Sequence, residues 1–184
     1  MLEIELKYRV DSLVAVAAKL ESLGAGFDDI CNECDFYFNA PDRDFKTTDE
    51  VFRLRCEVGS CVLTYKGPKR PGTVKSREEI EVPLVYDRQE DATRLIMALG
   101  YRLTAKVEKQ RTIYALERDG FDLHICLDSL EGIGEFVEVE IVAEKSDLAR
   151  AEQTVKAVAA ELGLSNPEPR AYLRMVLESL GSDA

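Results

Sequence analysis

Hydrophobic and polar residues alternate along several segments of the chain, as they do in β-strands that bury one face. Three of these segments share one plan, in which a Glu-x-Glu strand leads into a helical pattern that ends at Leu-Gly. They begin at Glu3, Glu79 and Glu138 and end at Gly24, Gly100 and Gly163. Each segment is predicted to fold as a strand, a helix and a return to extended chain.

The predicted helices have recognisable ends. Asp11, Asp87 and Ser146 are predicted N-caps, because a short side-chain oxygen can accept hydrogen bonds from the first turn. Apolar residues at helical spacing are predicted to pack in the core: Leu13, Val16, Ala17, Leu20, Leu23, Leu95, Ile96, Leu99, Val155, Val158, Ala159 and Leu162. A last helix is predicted over 170–180, after two prolines.

The remaining periodic segments predict strands at 28–40, 51–58, 61–67, 102–117 and 120–130. Turn sequences at 57–60 and 118–120 predict hairpins. Together with the Glu-x-Glu strands these make about eight strands, mostly antiparallel because hairpins join most of them. No linker rich in Gly, Ser or Pro divides the chain, so residues 1–184 are predicted to form a single domain.

Long charged side chains share one face of most predicted strands, as Glu3, Glu5 and Lys7 do. A solvated sheet face would give the same alternation. However, the polar positions are nearly all long and charged, and acid-rich strands alternate with base-rich ones. A barrel of eight strands with helices outside would bring both signs into one lumen. Carboxylates suit hard cations, and lysines and arginines suit phosphates, so the pattern predicts a metal-bound polyphosphate ligand.

The net charge of the chain limits the classes of binding partner that can be expected. The 184 residues include 24 Lys and Arg against 35 Asp and Glu, a net charge of −11. This balance argues against binding to nucleic acid or to anionic membranes. No apolar run approaches the roughly 20 residues of a membrane span, and the first residues predict no signal peptide.

Cysteine usage predicts a reduced, cytoplasmic protein, because five cysteines are an odd set. Cys31 and Cys34 have the spacing of a redox or zinc motif, but no second pair follows. Cys56 and Cys61 are expected to face each other across a hairpin.

Several motifs occur in one order along nearly the whole chain. Glu3-Ile4-Glu5-Leu6-Lys7 is followed by Phe52-Arg53-Leu54-Arg55, Tyr65-Lys66-Gly67-Pro68, Glu79-Ile80-Glu81, Glu108-Lys109-Gln110-Arg111, Leu127-Asp128, Glu138-Val139-Glu140 and Pro169-Arg170-Ala171-Tyr172. In this order they resemble the CYTH superfamily of triphosphate tunnel metalloenzymes, which includes class IV adenylyl cyclases, thiamine triphosphatases and inorganic tripolyphosphatases. The Tyr-Lys-Gly-Pro segment, the Glu-Lys-Gln-Arg segment and the Pro-Arg-x-Tyr tail look most like the class IV (CyaB-like) branch. The regular Glu-x-Glu at 79–81 is typical of general members.

The resemblance implies an α+β fold, in which helices pack outside a closed eight-stranded antiparallel barrel. It also implies a set of carboxylates for Mg²⁺ or Mn²⁺, with two ions expected: Glu3, Glu5, Asp128, Glu138 and Glu140. The implied triphosphate ligands are Lys7, Arg53, Arg55, Lys66, Arg77, Lys109, Arg111 and Arg170, of which Lys7, Lys109 and Arg111 are the predicted catalytic residues. Glu79 and Glu81 are expected either to bind metal or to orient neighbouring bases.

The leading functional hypothesis is conversion of ATP to cyclic AMP and pyrophosphate. The alternative uses the same residues for water attack on thiamine triphosphate, tripolyphosphate or a nucleotide, and a third possibility is a non-catalytic polyphosphate or nucleotide binder. His124 is expected to be a wall or packed residue rather than a general base, and Tyr65 and Tyr114 are expected to pack. A homodimer is one option for the oligomeric state.

Overall fold

A computed structural model of the chain describes residues 2–68 and 78–181. The predicted triphosphate ligand Arg77 lies outside these residues. The strands are β1 (Leu2–Val10), β2 (Gly26–Asn39), β3 (Val51–Glu57), β4 (Ser60–Lys66), β5 (Glu79–Leu84), β6 (Arg102–Arg118), β7 (Phe121–Leu130) and β8 (Gly134–Ala143). The helices are α1 (Leu13–Ser22), α2 (Phe45–Thr48), α3 (Gln89–Ala98), α4 (Leu148–Glu161) and α5 (Tyr172–Ser179).

The eight strands form one hydrogen-bonded sheet in the order β1-β8-β7-β6-β2-β3-β4-β5. The predicted α+β class and antiparallel pairing are confirmed, with long hairpins between β3 and β4 and between β6 and β7. Within residues 2–68 and 78–181, the first and last strands of this order are not hydrogen-bonded to each other. The closed barrel therefore stays a prediction.

Contacts divide the chain into two units. The first unit contains Met1–Cys31 and Lys109–Arg170, and the second contains Asn32–Glu108 and Ala171–Ala184. Each unit has its own cluster of buried apolar residues. No described helix has the length and apolar character that crossing a membrane requires.

In the first unit, helices α1 and α4 cover the apolar faces of β1, β7 and β8. Leu20 and Val155 are completely buried among strand residues such as Ile125 and Val139. The predicted apolar stripes of these two helices are therefore confirmed. Burial of each such side chain contributes about 1.5–3 kcal/mol, so this cluster holds strand faces in fixed register.

In the second unit, the core contains Phe38, Leu54 and Ile96. The prediction for α3 is wrong in part, because Leu95 and Leu99 are 62% and 66% exposed. These two leucines are one turn apart and share the outer face, whereas Ile96 points about 100° away and reaches the core.

The predicted helix starts are displaced by one or more residues. Ser12, rather than Asp11, caps α1, because its Oγ accepts from the Ala15 amide at 3.3 Å. Asp87 has a left-handed φ of 68° and lies before the N-cap of α3, Arg88. Ser146 lies in a 3₁₀ turn before α4. The glycines predicted to end the helices do have positive φ, for example 95° at Gly100.

Cys56 and Cys61 face each other across the β3–β4 hairpin, as predicted, and they form a disulfide. The reduced state expected of the cysteines therefore does not hold for this pair. The pairing follows from register, because directly opposed residues of antiparallel strands point to the same face.

Candidate functional site

Charged residues form rows across β1, β8 and β7 in the first unit. Glu5 on β1 lies opposite Glu140 on β8, and Glu140 lies opposite His124 on β7. In the next row, Lys7 lies opposite Glu138. Because paired residues of antiparallel strands share a face, the apolar packing on the other side of these strands fixes all five side chains on one surface.

Three of the predicted metal ligands come together. Glu5, Glu138 and Glu140 each offer a carboxylate oxygen, and these oxygens all lie within 4.8 Å of one another. Carboxylate oxygens are the ligands that Mg²⁺ and Mn²⁺ prefer. We call these three residues the carboxylate trio. Glu3 and Asp128, which are also predicted ligands, are outside the trio.

The trio is electrostatically crowded. Loss of solvent around the carboxylate, followed by the charge of Glu138, raises the pKa of Glu5 to about 8, and Lys7 only partly opposes this. As a residue, Glu5 is nevertheless exposed to solvent. Burial and then the charge of Glu3 raise the pKa of Glu140. Clustered carboxylates of this kind are stabilised by a bound cation, so the donor set fits a divalent metal.

The lysine and arginine side chains that are predicted to act in catalysis each contact an acidic side chain. Arg111 donates from Nε and Nη2 to the two oxygens of fully buried Asp128, at 2.7 and 2.6 Å, and it also contacts Glu138. Although burial disfavours its charge, Asp128 raises the pKa of Arg111. Lys109 Nζ is 3.9 Å from Asp128, and Lys7 Nζ is 3.5 Å from Glu138. Asp128 thus acts in this structure as the partner of the bases.

Arg170 is held by Glu168, which the sequence patterns did not identify. The backbone amide and Nε of Arg170 donate to Glu168 Oε1 at 3.0 and 2.8 Å. The hydrogen bonds from Arg170 lower the pKa of Glu168 to about 2, although burial opposes them. The Glu168 amide donates to the carbonyl oxygen of Lys7 at 2.7 Å. These bonds fix the segment that carries Arg170 to strand β1.

The second unit carries its own basic cluster on β3. Arg55 lies opposite Asp35 on β2 and donates to both of its oxygens, at 2.7 and 2.8 Å. A further nitrogen of Arg55 is 2.7 Å from Glu33. Although burial disfavours the charge, Asp35 raises the pKa of Arg55. The guanidinium is therefore fixed and charged.

Arg53 has weaker contacts with acidic side chains than Arg55 has. One of its terminal nitrogens is 3.5 Å from Asp35. Its Nε is buried and has no hydrogen-bond partner in the part of the chain that the structure describes. A buried N–H without an acceptor is costly, and an oxygen of a bound ligand would satisfy it.

The second Glu-x-Glu faces neighbouring polar residues on β4. Glu79 lies opposite Lys66, with an oxygen–nitrogen distance of 2.9 Å. Glu81 accepts from the hydroxyl of buried Thr64 at 3.2 Å. Glu79 thus forms an ion pair with Lys66, a predicted phosphate ligand.

Glu33, Asp35 and Tyr37 on β2 were missed as site residues. They alternate with Cys34, Phe36 and Phe38, and this period of two was a usable signal. Burial and then Asp35 raise the pKa of Tyr37 to about 12. The missed acids are the partners of the predicted arginines.

His124 is not a packed residue. Its side chain is 56% exposed, with Nδ1 3.9 Å from Glu140, and the wall position stays a prediction. Tyr114 is buried and meets Phe27 edge-on, as the packing prediction requires. Tyr65 instead donates its hydroxyl to Glu50 at 2.6 Å.

A sheet face with interleaved carboxylates, lysines and arginines presents the types of group that metal ions and phosphates favour as ligands. Residues 1–172 match the CYTH domain, and the chain belongs to this family, in its CyaB-like branch. A Methanocaldococcus jannaschii protein that is provisionally named an adenylate cyclase is 39% identical over 140 residues, which cover 76% of this chain and 77% of that protein. Adenylate cyclase CyaB of Aeromonas hydrophila is 29% identical, with coverage of 97% and 90%.

Solved structures share the fold. The PH1819 protein of Pyrococcus horikoshii has a TM-score of 0.81 and 33% identity, and the match covers 96% of this chain and 99% of that one. A Hippeastrum protein, HpAC1, has a TM-score of 0.69 at 16% identity, with coverage of 98% and 96%. HpAC1 is described as a provisional adenylyl cyclase that has a dominant triphosphatase activity.

Proposed function

We propose that this chain is a metal-dependent enzyme that acts on triphosphates, and that it converts ATP to cyclic AMP and pyrophosphate. The observation that carries the proposal is the carboxylate trio beside buried basic residues on the same sheet face. Oxygen ligands for a hard cation and fixed cations for phosphate are the two requirements of a metal–triphosphate site. The adenylate cyclase names of two relatives favour this reaction.

In this proposal, Glu5, Glu138 and Glu140 hold Mg²⁺ or Mn²⁺, and Glu3 and Asp128 are further ligands, so that two ions can bind. When bound, the metal lowers the pKa of an attacking hydroxyl and offsets negative charge on the phosphates. The charge of the trio is what attracts the cation.

The basic residues bind the triphosphate. Lys7, Lys109 and Arg111 are held at fixed positions by their acidic partners, so they stabilise the charge that develops on departing pyrophosphate without reorganising. Arg111 and the two lysines supply fixed positive charge for the phosphate oxygens. Arg170, fixed to β1 through Glu168, is a further phosphate ligand of this unit.

In the second unit, Arg53, Arg55 and Lys66 are proposed phosphate ligands, and Glu79 and Glu81 support them. The buried Nε of Arg53 favours this role, because within the described residues it lacks an acceptor that a phosphate oxygen would provide. Arg77 is proposed for the same role because of its position in the sequence, just before the Glu-x-Glu motif at 79–81.

A second candidate reaction is hydrolysis of a triphosphate such as thiamine triphosphate, tripolyphosphate or a nucleotide. The description of the Hippeastrum structure favours it, because a protein of the same fold shows dominant triphosphatase activity. Both reactions use the same metal and phosphate ligands. They differ in whether a ribose hydroxyl or a water molecule attacks in line.

The test is product analysis. Purified protein is incubated separately with ATP, thiamine triphosphate and tripolyphosphate, with Mg²⁺ or Mn²⁺, from neutral to alkaline pH. Chromatography separates cyclic AMP and pyrophosphate from ADP and phosphate. We expect cyclic AMP from ATP; its absence under every condition would refute the cyclase, and phosphate release would then establish the hydrolase.

A pair of variants tests the metal site in the same assay. Glu140→Gln should abolish turnover of every substrate. Glu131→Gln removes the same charge from an exposed position in the β7–β8 turn and should leave turnover unchanged. Full activity in Glu140→Gln would refute the metal-site assignment.

A further inference from the structure

Three cysteines form a row across neighbouring strands of the second unit. Cys34 on β2 lies opposite Cys56 on β3, and Cys56 lies opposite Cys61 on β4. Directly opposed residues of antiparallel strands share a face, so the three sulfur atoms lie on the same side of the sheet. This is the apolar side, which contains Leu54 and is opposite to the arginines of β3.

The spacing within the row suits two alternative disulfides. The Cα atoms of Cys56 and Cys61 are 4.3 Å apart, which is the narrow, non-hydrogen-bonded type of antiparallel pair. The backbone polar groups of Cys56 therefore point toward β2, which makes Cys34–Cys56 the hydrogen-bonded type. Such pairs have Cα separations of about 5.5 Å, within the range of disulfides.

The order of the sulfur atoms also suits exchange. Cys56 is the central cysteine, with Cys61 bonded to it on one side and Cys34 on the other. Thiolate attack on a disulfide proceeds along the sulfur–sulfur axis, from the side opposite the leaving sulfur. The strand register places Cys34 and Cys61 on opposite sides of Cys56, as an attacking and a leaving cysteine must be.

The row is accessible from outside. Asn32, Val58 and Gln89 line a cavity of about 270 Å³ together with all three cysteines. Cys34 is partly exposed, whereas Cys56 and Cys61 are buried. The cavity is large enough for water or a small thiol, and Cys34 is the cysteine of the row that solvent contacts most.

We propose that Cys34, Cys56 and Cys61 form a thiol–disulfide exchange site, in which the disulfide moves between the β3–β4 and β2–β3 strand pairs. The Cys34 thiolate attacks Cys56 Sγ, a Cys34–Cys56 bond forms, and the Cys56–Cys61 bond breaks. Cys61 leaves as a thiolate and takes up a proton, which replaces the one that Cys34 released. The exchange is an isomerisation, so it consumes no oxidant or reductant.

The exchange has a defined mechanical effect. Cys56 remains in a disulfide in both isomers, so β3 stays cross-linked to one neighbour or the other. Exchange releases the β3–β4 hairpin and fixes β3 to β2, the strand that holds Arg55 through Asp35. The exchange requires neither the candidate metal ligands nor the phosphate ligands of the proposed function.

Tryptic peptides distinguish the two isomers. Cleavage at Arg55 and Lys66 releases peptide 56–66 with both Cys56 and Cys61, and cleavage at Lys19 and Arg43 releases peptide 20–43 with Cys34. Full-length protein purified without reductant is incubated with a trace of reduced glutathione, blocked with N-ethylmaleimide, digested and analysed by mass spectrometry. We expect an internal disulfide in 56–66 and also a 56–66/20–43 cross-link, at least tenfold above its level in Cys34→Ser.

Two further variants make the result decisive. Cys31→Ser should keep the cross-link, because Cys31 shares peptide 20–43 but lies outside the row. Cys61→Ser, reduced and then reoxidised with oxidised glutathione, should form the Cys34–Cys56 disulfide, as Cys34→Ser should re-form Cys56–Cys61. Absence of the cross-link from both wild type and Cys61→Ser, or its persistence in Cys34→Ser, would overturn the proposal.

Discussion

Arg111 and Asp128 form a buried two-point ion pair across β6 and β7, with nitrogen–oxygen distances of 2.7 and 2.6 Å. Asp128 is completely buried, and Arg111 also contacts Glu138 of the carboxylate trio. The pair therefore links the core of the first unit to its candidate metal site. Its loss should affect both stability and ligand binding.

Asp128→Asn should destabilise the protein by about 3 kcal/mol, because removing one partner leaves a buried charge uncompensated. Urea unfolding, followed by circular dichroism, measures the change. Glu152→Gln is the control, since it removes one partner of an exposed pair with Lys156 and should cost about 0.5 kcal/mol or less. Equal losses in the two variants would contradict the structural role of Asp128.

Without metal, the stability of the protein should fall as pH rises from 5 to 8. The folded-state pKa of Glu5 is raised to about 8, well above its unfolded value, so the folded state binds more protons in this window. The contribution of Glu5 is thus favourable at low pH and lost as pH approaches 8. The urea midpoint, measured in EDTA across this range, should show a smaller decline in Glu5→Gln. The same decline in both proteins would show that Glu5 is not the responsible group.

Arg55→Lys should weaken tripolyphosphate binding about tenfold, a loss of about 1.4 kcal/mol. Lysine keeps the charge but loses the planar fork through which Arg55 contacts Asp35. Isothermal titration calorimetry measures the affinity. Arg88→Lys, on the surface beside α3, is the matched control and should bind like the wild type. Unchanged affinity in Arg55→Lys would remove Arg55 from the proposed phosphate ligands.

Local periodicity predicted most of the fold, because alternation and helical spacing each report directly on burial. The strands and their hairpins, the buried stripe of α4 and the left-handed glycines all follow from such patterns. The exposure of Leu95 and Leu99 did not follow, because it depends on which helix face meets the sheet. The short helix α2 was also missed, since four residues are too few to show a period.

The site was predictable in its residue types and less so in its pairings. The motifs identified the trio, but sequence could not show that Asp128 is engaged by Arg111, because that depends on the β6–β7 register. The alternation of polar and apolar residues along β2 could have identified Asp35 as a residue of the charged face. No sequence pattern could have identified Glu168, since it lies outside regular structure and contacts Lys7 through the backbone.

The proposed function requires that the carboxylate trio bind a divalent metal. Electron paramagnetic resonance titration with Mn²⁺ measures this binding, because free and bound Mn²⁺ give distinct signals and no turnover is needed. Wild type and Glu131→Gln should bind Mn²⁺ with the same affinity, whereas Glu140→Gln should bind at least about tenfold more weakly. Equal Mn²⁺ affinity in all three proteins would contradict the assignment of Glu5, Glu138 and Glu140 as the metal site.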